Sequence, residues 1–172
     1  MASTRYSDDL SPIASRRINL KHWSIFALLE KEFLCKVKLA CVFGNVGNEA
    51  LVITFEDEVF AVGSNGAGCH GVGDMNSSLK PRKLESLCQK NIIDLAYGSG
   101  PHVLALTKTG EVYSWGHNGY CQLGNGNTNH GLSPSLLQGK DAESCSLNYL
   151  VYIATRVENR LTIKKLLRMF IL

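Results

Sequence analysis

The sequence has no apolar run of the roughly 18–20 residues that a membrane-spanning helix requires. Its start, MASTRYSDDLSPIASRR, is polar and lacks the apolar stretch of a secretory signal. With neither feature, the chain reads as intracellular, with the nucleus and the cytoplasm as expected compartments. Six cysteines are present (Cys35, Cys41, Cys69, Cys88, Cys121 and Cys145), but none pair as C-x-x-C. That removes the usual frame of a zinc ribbon or a thioredoxin-type site. They read as free, mostly buried thiols, and the sequon at Asn76-Ser77-Ser78 is expected to stay empty. Strong charge of one sign is missing too. The formal net charge is +3, and no basic stripe interleaved with aromatics appears, so direct nucleic-acid binding is not expected.

What the chain does have is globular composition: 45% hydrophobic and 19% charged residues over 172 positions, enough for one ordinary domain. It also has a repeat. EVYSWGHNGYCQLGNGNTNHGLSP, Glu111 to Pro134, lies over EVFAVGSNGAGCHGVGDMNSSLKP, Glu58 to Pro81, at a constant offset of 53. ALVIT at Ala50–Thr54 lies over VLALT at Val103–Thr107 at the same offset. Repeats of this length are stacked supersecondary units. The shared positions are chiefly glycine and asparagine: Gly63, Asn65, Gly66, Gly71 and Gly73 return as Gly116, Asn118, Gly119, Gly124 and Gly126. Glycine marks positive φ or close backbone approach. A catalytic centre would instead need acids, bases or nucleophiles converging once.

Taken in order, residues 1–21 read as a flexible leader. Residues 22–41 read as a helix, with Trp23, Phe26, Ala27, Leu34, Val37 and Cys41 along its apolar face. Two repeats follow, at about 42–90 and 91–138. In the second, strands are expected at Asn91–Ser99, His102–Lys108, Glu111–His117 and near Leu132–Leu137, because short β-branched and aromatic runs lie between Gly and Asn. Gly98 and Gly100 bracket a tight turn. Gly116 and Gly119 flank the exit from the third strand, and Gly124 and Gly126 sit in the long loop. Asn118 and Asn129 suit bonds to nearby backbone, and Tyr113 and Trp115 are expected to pack between units. Four antiparallel strands per unit is the propeller blade, so the fold class is mainly β, an incomplete β-propeller of about two blades. Residues 139–172 form a divergent tail. In it, Ile163, Leu166, Leu167 and Phe170 keep helical spacing among Lys164, Lys165 and Arg168. That is a basic amphipathic pattern, read first as a cover for apolar surface or an unstructured appendage, and second as a membrane-surface or calmodulin-type helix.

Other motifs weigh little. Gly66–Gly71 has the form GxGxxG, but a dinucleotide site needs a helix to open there, and turn-like VGDMNSSLKP follows. Asp94, Ser99 and His102 do not form a nucleophile elbow. His117 and His130 lack a carboxylate pair or cysteine at ligand spacing. No catalytic, cofactor or metal residue is assigned.

These repeats resemble those of the regulator of chromosome condensation family. The resemblance rests on YGSGPHVLALT, on GEVYSWGHNGYCQLGNG and on the proline before the fourth strand. KHWSIFALL, ACVFGN, EALVIT and LKPRKLESLC further resemble the N-terminal part of members that join such repeats to a BTB domain; the likeness runs from about Trp23 to Leu136. It implies a seven-bladed propeller. The best-known member exchanges nucleotide on the small GTPase Ran and docks on chromatin, and BTB-containing members are viewed as partner-binding proteins, recruiting substrates to a cullin ligase. Within the signature, Gly98, Gly100, His102 and Trp115 join the repeated Gly and Asn positions. The chain departs from the pattern: only two repeats are recognisable, no BTB domain follows, and the texture changes after about Gln138, as in a truncated or alternatively spliced product.

The expectation is a non-enzymatic protein-interaction module that works through the loops Gly63–Asn76 and Gly116–Asn129. Two alternatives stand beside it: nucleotide exchange on a Ran-like GTPase, and a fragment without activity of its own that pairs with its full-length relative.

Overall fold

Among the described residues, short apolar runs punctuated by glycine fold into eight strands in two antiparallel sheets. The structure, a computed structural model, describes residues 20, 23–44, 46–98 and 101–137. The first sheet holds β1 (Val37–Phe43), β2 (Glu49–Thr54), β3 (Val59–Gly63) and β4 (Ser78–Lys83) in sequential order. The second repeats that order with β5 (Ile92–Gly98), β6 (His102–Thr107), β7 (Val112–Gly116) and β8 (Gly131–Leu136). The leader (Leu20 excepted), Gly100, and the tail with its Ile163, Leu166, Leu167 and Phe170 pattern lie outside the described residues.

The single helix expected over 22–41 does not form. A 3-10 turn at Ser24–Phe26 and a one-turn helix α1 (Lys31–Leu34) come first, and β1 takes the rest. The reason is that β1 is covered on both sides. Leu39, Cys41 and Phe43 pack toward the second sheet, while Ala40 and Val42 pack toward residues 20–34. A strand apolar on both faces lacks the alternation that would announce it, and its spacing mimics a helical stripe.

The hairpin turns are built alike. The Thr54 and Thr107 hydroxyls accept the N–H groups of Glu58 (3.2 Å) and Glu111 (3.0 Å), closing the β2–β3 and β6–β7 connections.

The sheets stack front to back. Leu51, Ile53, Val59 and Ala61 on the back of the first sheet meet Val103, Ala105, Tyr113 and Trp115 on the front of the second, with Leu84, Leu87, Ile92 and Leu95 completing the core. Phe43 and Tyr97 stack across it at 5.2 Å. Each large apolar side chain buried there contributes about 1.5–3 kcal/mol. The front of the first sheet, with Ala50, Val52 and Val62, is covered by Leu20, Ile25 and Phe26. At the offset of 53 those three positions correspond to Val103, Ala105 and Trp115. The N-terminal segment therefore occupies the place that the first sheet holds against the second.

Candidate functional site

The loops between the third and fourth strands carry the repeated Gly and Asn residues, and both are built by the same clamp. Asn65 is fully buried at the exit of β3. Its Oδ1 accepts the His70 N–H (2.8 Å), and its Nδ2 donates to the carbonyls of Asp74 (2.9 Å) and Asn76 (3.4 Å). Asn118, equally buried, accepts the Leu123 N–H (2.9 Å) and donates to the carbonyls of Asn127 (2.7 Å) and Asn129 (2.9 Å). These partners are displaced by 53, and Asn118 Nδ2 adds a bond to Asn125 Oδ1 (3.1 Å) that the first loop, with Val72 there, lacks. One amide thus holds both arms of each loop, leaving little of its hydrogen-bonding capacity unused.

Glycine is required where the loops leave the sheet. Gly63 and Gly116 have φ of +105° and +102°. A Cβ on Gly63 would overlap the Asn48 carbonyl oxygen, and one on Gly116 would lie 2.7 Å from that of Pro101. Those carbonyls accept the N–H groups of Ser64 and His117 at 2.9 Å in each case, so the crowding is part of the hydrogen-bonded exit. Gly71 lies under the Trp115 indole, which fixes the first loop to the second sheet. Gly73 donates its N–H to the Leu132 carbonyl (2.9 Å) across the same junction. Gly66, Gly119, Gly124 and Gly126 take the corresponding places in the two loops, and Gly98 underlies the His102 ring.

The two loops differ in what they display. Ser64, Ala67 and Ser77 of the first are His117, Tyr120 and His130 in the second. The His117 and His130 rings lie 4.6 Å apart, and Tyr120, four-fifths exposed, lies 6.3 Å from His117. Reading the sequence missed this cluster, since residues thirteen apart share no strand or helical period; the signal available was the contrast between the copies. The first loop is braced instead by Arg82, whose guanidinium donates to both carboxylate oxygens of Asp74 at 2.7 Å. That hydrogen-bonded pair holds the Asp74 carboxyl well below the usual carboxylate range.

Two buried groups are tuned by their surroundings. Burial, then the charge of Glu49, pushes the Cys69 thiol up to about 12. Burial, then the nearby Arg82 charge, brings the His70 imidazole down to about 4. Neither His70 ring nitrogen has a hydrogen-bond partner; the backbones of Val62 and Ser64 approach it without bonding geometry.

The remaining candidates stay apart. Asp94 pairs with Leu106 and His102 with Gly98, at opposite ends of one hairpin, and Ser99 lies outside the described residues. No helix follows Gly71; the chain turns through Gly73 into β4. Among the described residues, no three His, Cys, Asp or Glu side chains gather as a metal site, and no helix is long and apolar enough to cross a membrane.

Fold and loops together define a tandem of four-stranded β repeats with asparagine-clamped glycine loops. The chain carries Regulator of chromosome condensation (RCC1) repeats: the profile of that repeat matches residues 109–147, and a second profile of the same repeat matches residues 92–122. The chain is 38% identical over 107 residues to the zebrafish (Danio rerio) Protein RCC2 homolog, covering 61% of this chain and 21% of that protein. It is 37% identical over 92 residues to the human E3 ubiquitin-protein ligase HERC2, covering 54% of this chain and 2% of that protein. The chain therefore spans about a fifth or less of these relatives. Among solved structures it is similar to human WBSCR16, with 30% identity, a TM-score of 0.47, and coverage of 61% of this chain and 28% of that one.

Proposed function

We propose that this chain is a non-enzymatic protein-interaction module, acting inside the cell, whose partners are read by the loops Gly63–Asn76 and Gly116–Asn129. The observation that carries this reading is the duplicated clamp. Asn65 and Asn118 spend their amides on holding backbone, so each loop is a preorganised display on a rigid sheet. Exposed side chains such as Met75 and Tyr120 then meet a partner with little ordering cost. The front-to-back stacking supports a propeller as the parent architecture. The further relation to BTB-containing repeat proteins rests on the N-terminal motifs, KHWSIFALL and ACVFGN, and on LKPRKLESLC. In that setting the repeats are a recruiting arm and the chemistry belongs to the partner.

Cross-linking mass spectrometry on complexes captured by the purified chain tests this. Cross-links should concentrate on residues near Met75 and Tyr120. Cross-links falling instead on β4 and on residues 23–34 would sink the assignment to the loops.

A further inference from the structure

The two loops share one backbone plan and one clamp, so a feature found in only one of them is not required to fold the loop. Ser64, Ala67 and Ser77 accompany the first loop, and its Asn65 N–H is satisfied by the Ser77 hydroxyl at 3.1 Å. His117, Tyr120 and His130 stand in those places in the second, where His130 Nδ1 accepts the Asn118 N–H at 2.9 Å. A serine performs the structural task. The imidazoles and the phenol are surplus to it, and they cluster on the surface.

The hydrogen bonds also assign the protons. A backbone N–H can only donate, so His130 Nδ1 is an acceptor and its ring proton sits on Nε2. Gln122 Oε1 accepts the Tyr120 N–H at 2.8 Å, which fixes the orientation of that amide. Its Nε2 therefore donates to His117 Nδ1 at 2.8 Å, and the His117 proton also sits on Nε2. Both rings present an Nε2–H. A metal-bound histidine needs the opposite arrangement, with the second nitrogen donating outward and a lone pair on the ligating one. A Cβ at Gly119 would lie 3.0 Å from His117 Cε1, so the glycine that both loops share leaves room for the ring.

Resting on the interaction-module reading above, we infer that His117, His130 and Tyr120 form a donor cluster that binds carboxylate side chains of an acidic segment on a protein partner. Two neighbouring N–H donors and a phenolic O–H offer three hydrogen bonds to anionic oxygen, the stronger class of such bonds. The first loop has small side chains at those three positions and cannot make this contact.

The test uses the full chain and a fluorescent hexaglutamate peptide. The variant His117→Ser/Tyr120→Ala/His130→Ser keeps a hydroxyl to accept the Asn118 N–H but removes the partner of the buried Gln122 Nε2, so it should still melt in one cooperative transition, somewhat below the parent. The parent should bind the peptide and the variant should bind it about tenfold more weakly or worse, as expected for the loss of charge-assisted bonds. The reverse graft, Ser64→His/Ala67→Tyr/Ser77→His, should raise the stoichiometry toward two peptides per chain. Equal binding by parent and triple variant overturns the proposal. So does zinc binding by the parent that is lost in the triple variant, since it would reverse the assigned protons. If the triple variant loses the peptide yet keeps a protein partner cross-linked at Met75, the donor cluster and the module reading both hold. If the parent cross-links to no partner through either loop, the module reading fails independently of the peptide result.

Discussion

The indole of Trp115 donates its Nε1–H to the main-chain carbonyl of Cys69 at 2.7 Å, a bond between the two repeats across 46 residues of sequence. Both residues are buried, so water cannot substitute for either group. The bond ties the glycine loop of the first repeat to the third strand of the second. Val62, at the position of Trp115 in the first sheet, faces the N-terminal segment and has no such reach.

Trp115→Phe should therefore cost about 2–3 kcal/mol, from a carbonyl left unsatisfied plus a smaller ring. Urea unfolding monitored by far-UV circular dichroism measures it. A loss below about 0.5 kcal/mol, the range of unremarkable surface substitutions, would show that the two repeats do not depend on this bond.

Asn118→Leu is close in volume but removes three backbone hydrogen bonds at once, and the loss should exceed about 3 kcal/mol. Asn65→Leu should behave alike. Amide hydrogen exchange gives the sharper readout: protection at Leu123 should fall in the first variant, and at His70 in the second. Protection unchanged at these amides would remove the clamp from the account.

His70 gives a pH prediction. Its imidazole is held down to about 4 in the folded chain against 6.5 for the free group. The folded state thus binds fewer protons than the unfolded one between those values. Stability is full above pH 6.5 and declines as the pH falls through 4, by about 3 kcal/mol in all. His70→Leu copies the residue that the second repeat uses, Leu123. It should raise the melting temperature at pH 5 and flatten the profile across this window. A profile with the same slope in both chains would place the acid sensitivity elsewhere.

Thiol chemistry should separate Cys35 from Cys69. Cys35 is exposed, while Cys69 is buried and its thiolate is disfavoured by burial and by Glu49. The thiolate is the nucleophile. Iodoacetamide under native conditions should modify Cys35 within minutes and spare Cys69 until the chain unfolds, as read by peptide mass spectrometry. Early labelling of Cys69 would mean that the sheets separate readily.

Much of the second sheet was legible because its strands alternate with glycine and because a copy stood 53 residues away. The first strand was not, and the pairing shows why. Val37 opposes Thr54 and Ile92 opposes Thr107, so the first strands are offset by 55, not 53. The connection after β1 runs through residues 44–48, and the one after β5 through only 99–101. That two-residue difference hid the copy of β1, and its apolar run, partly covered on both faces, then passed for a helix. The clamp was half legible: recurring Asn65 and Asn118 marked a structural task, but the carbonyls they hold are set by loop closure. The His117–His130 contact depended on the same closure.

Front-to-back stacking gives the pair of repeats a direction, like bricks with a stud side and a socket side. At the first sheet the socket is filled from within the chain. Ile25 stands against Gly63 as Cys69 stands against Gly116, so the stretch ending at Phe26 imitates the edge of a neighbouring unit without being one. A third unit of the same kind cannot enter on that side unless the imitation leaves. The short segment before β1 thus sets the phase of the stack, and its removal should change which surface the module offers as well as how firmly it holds together.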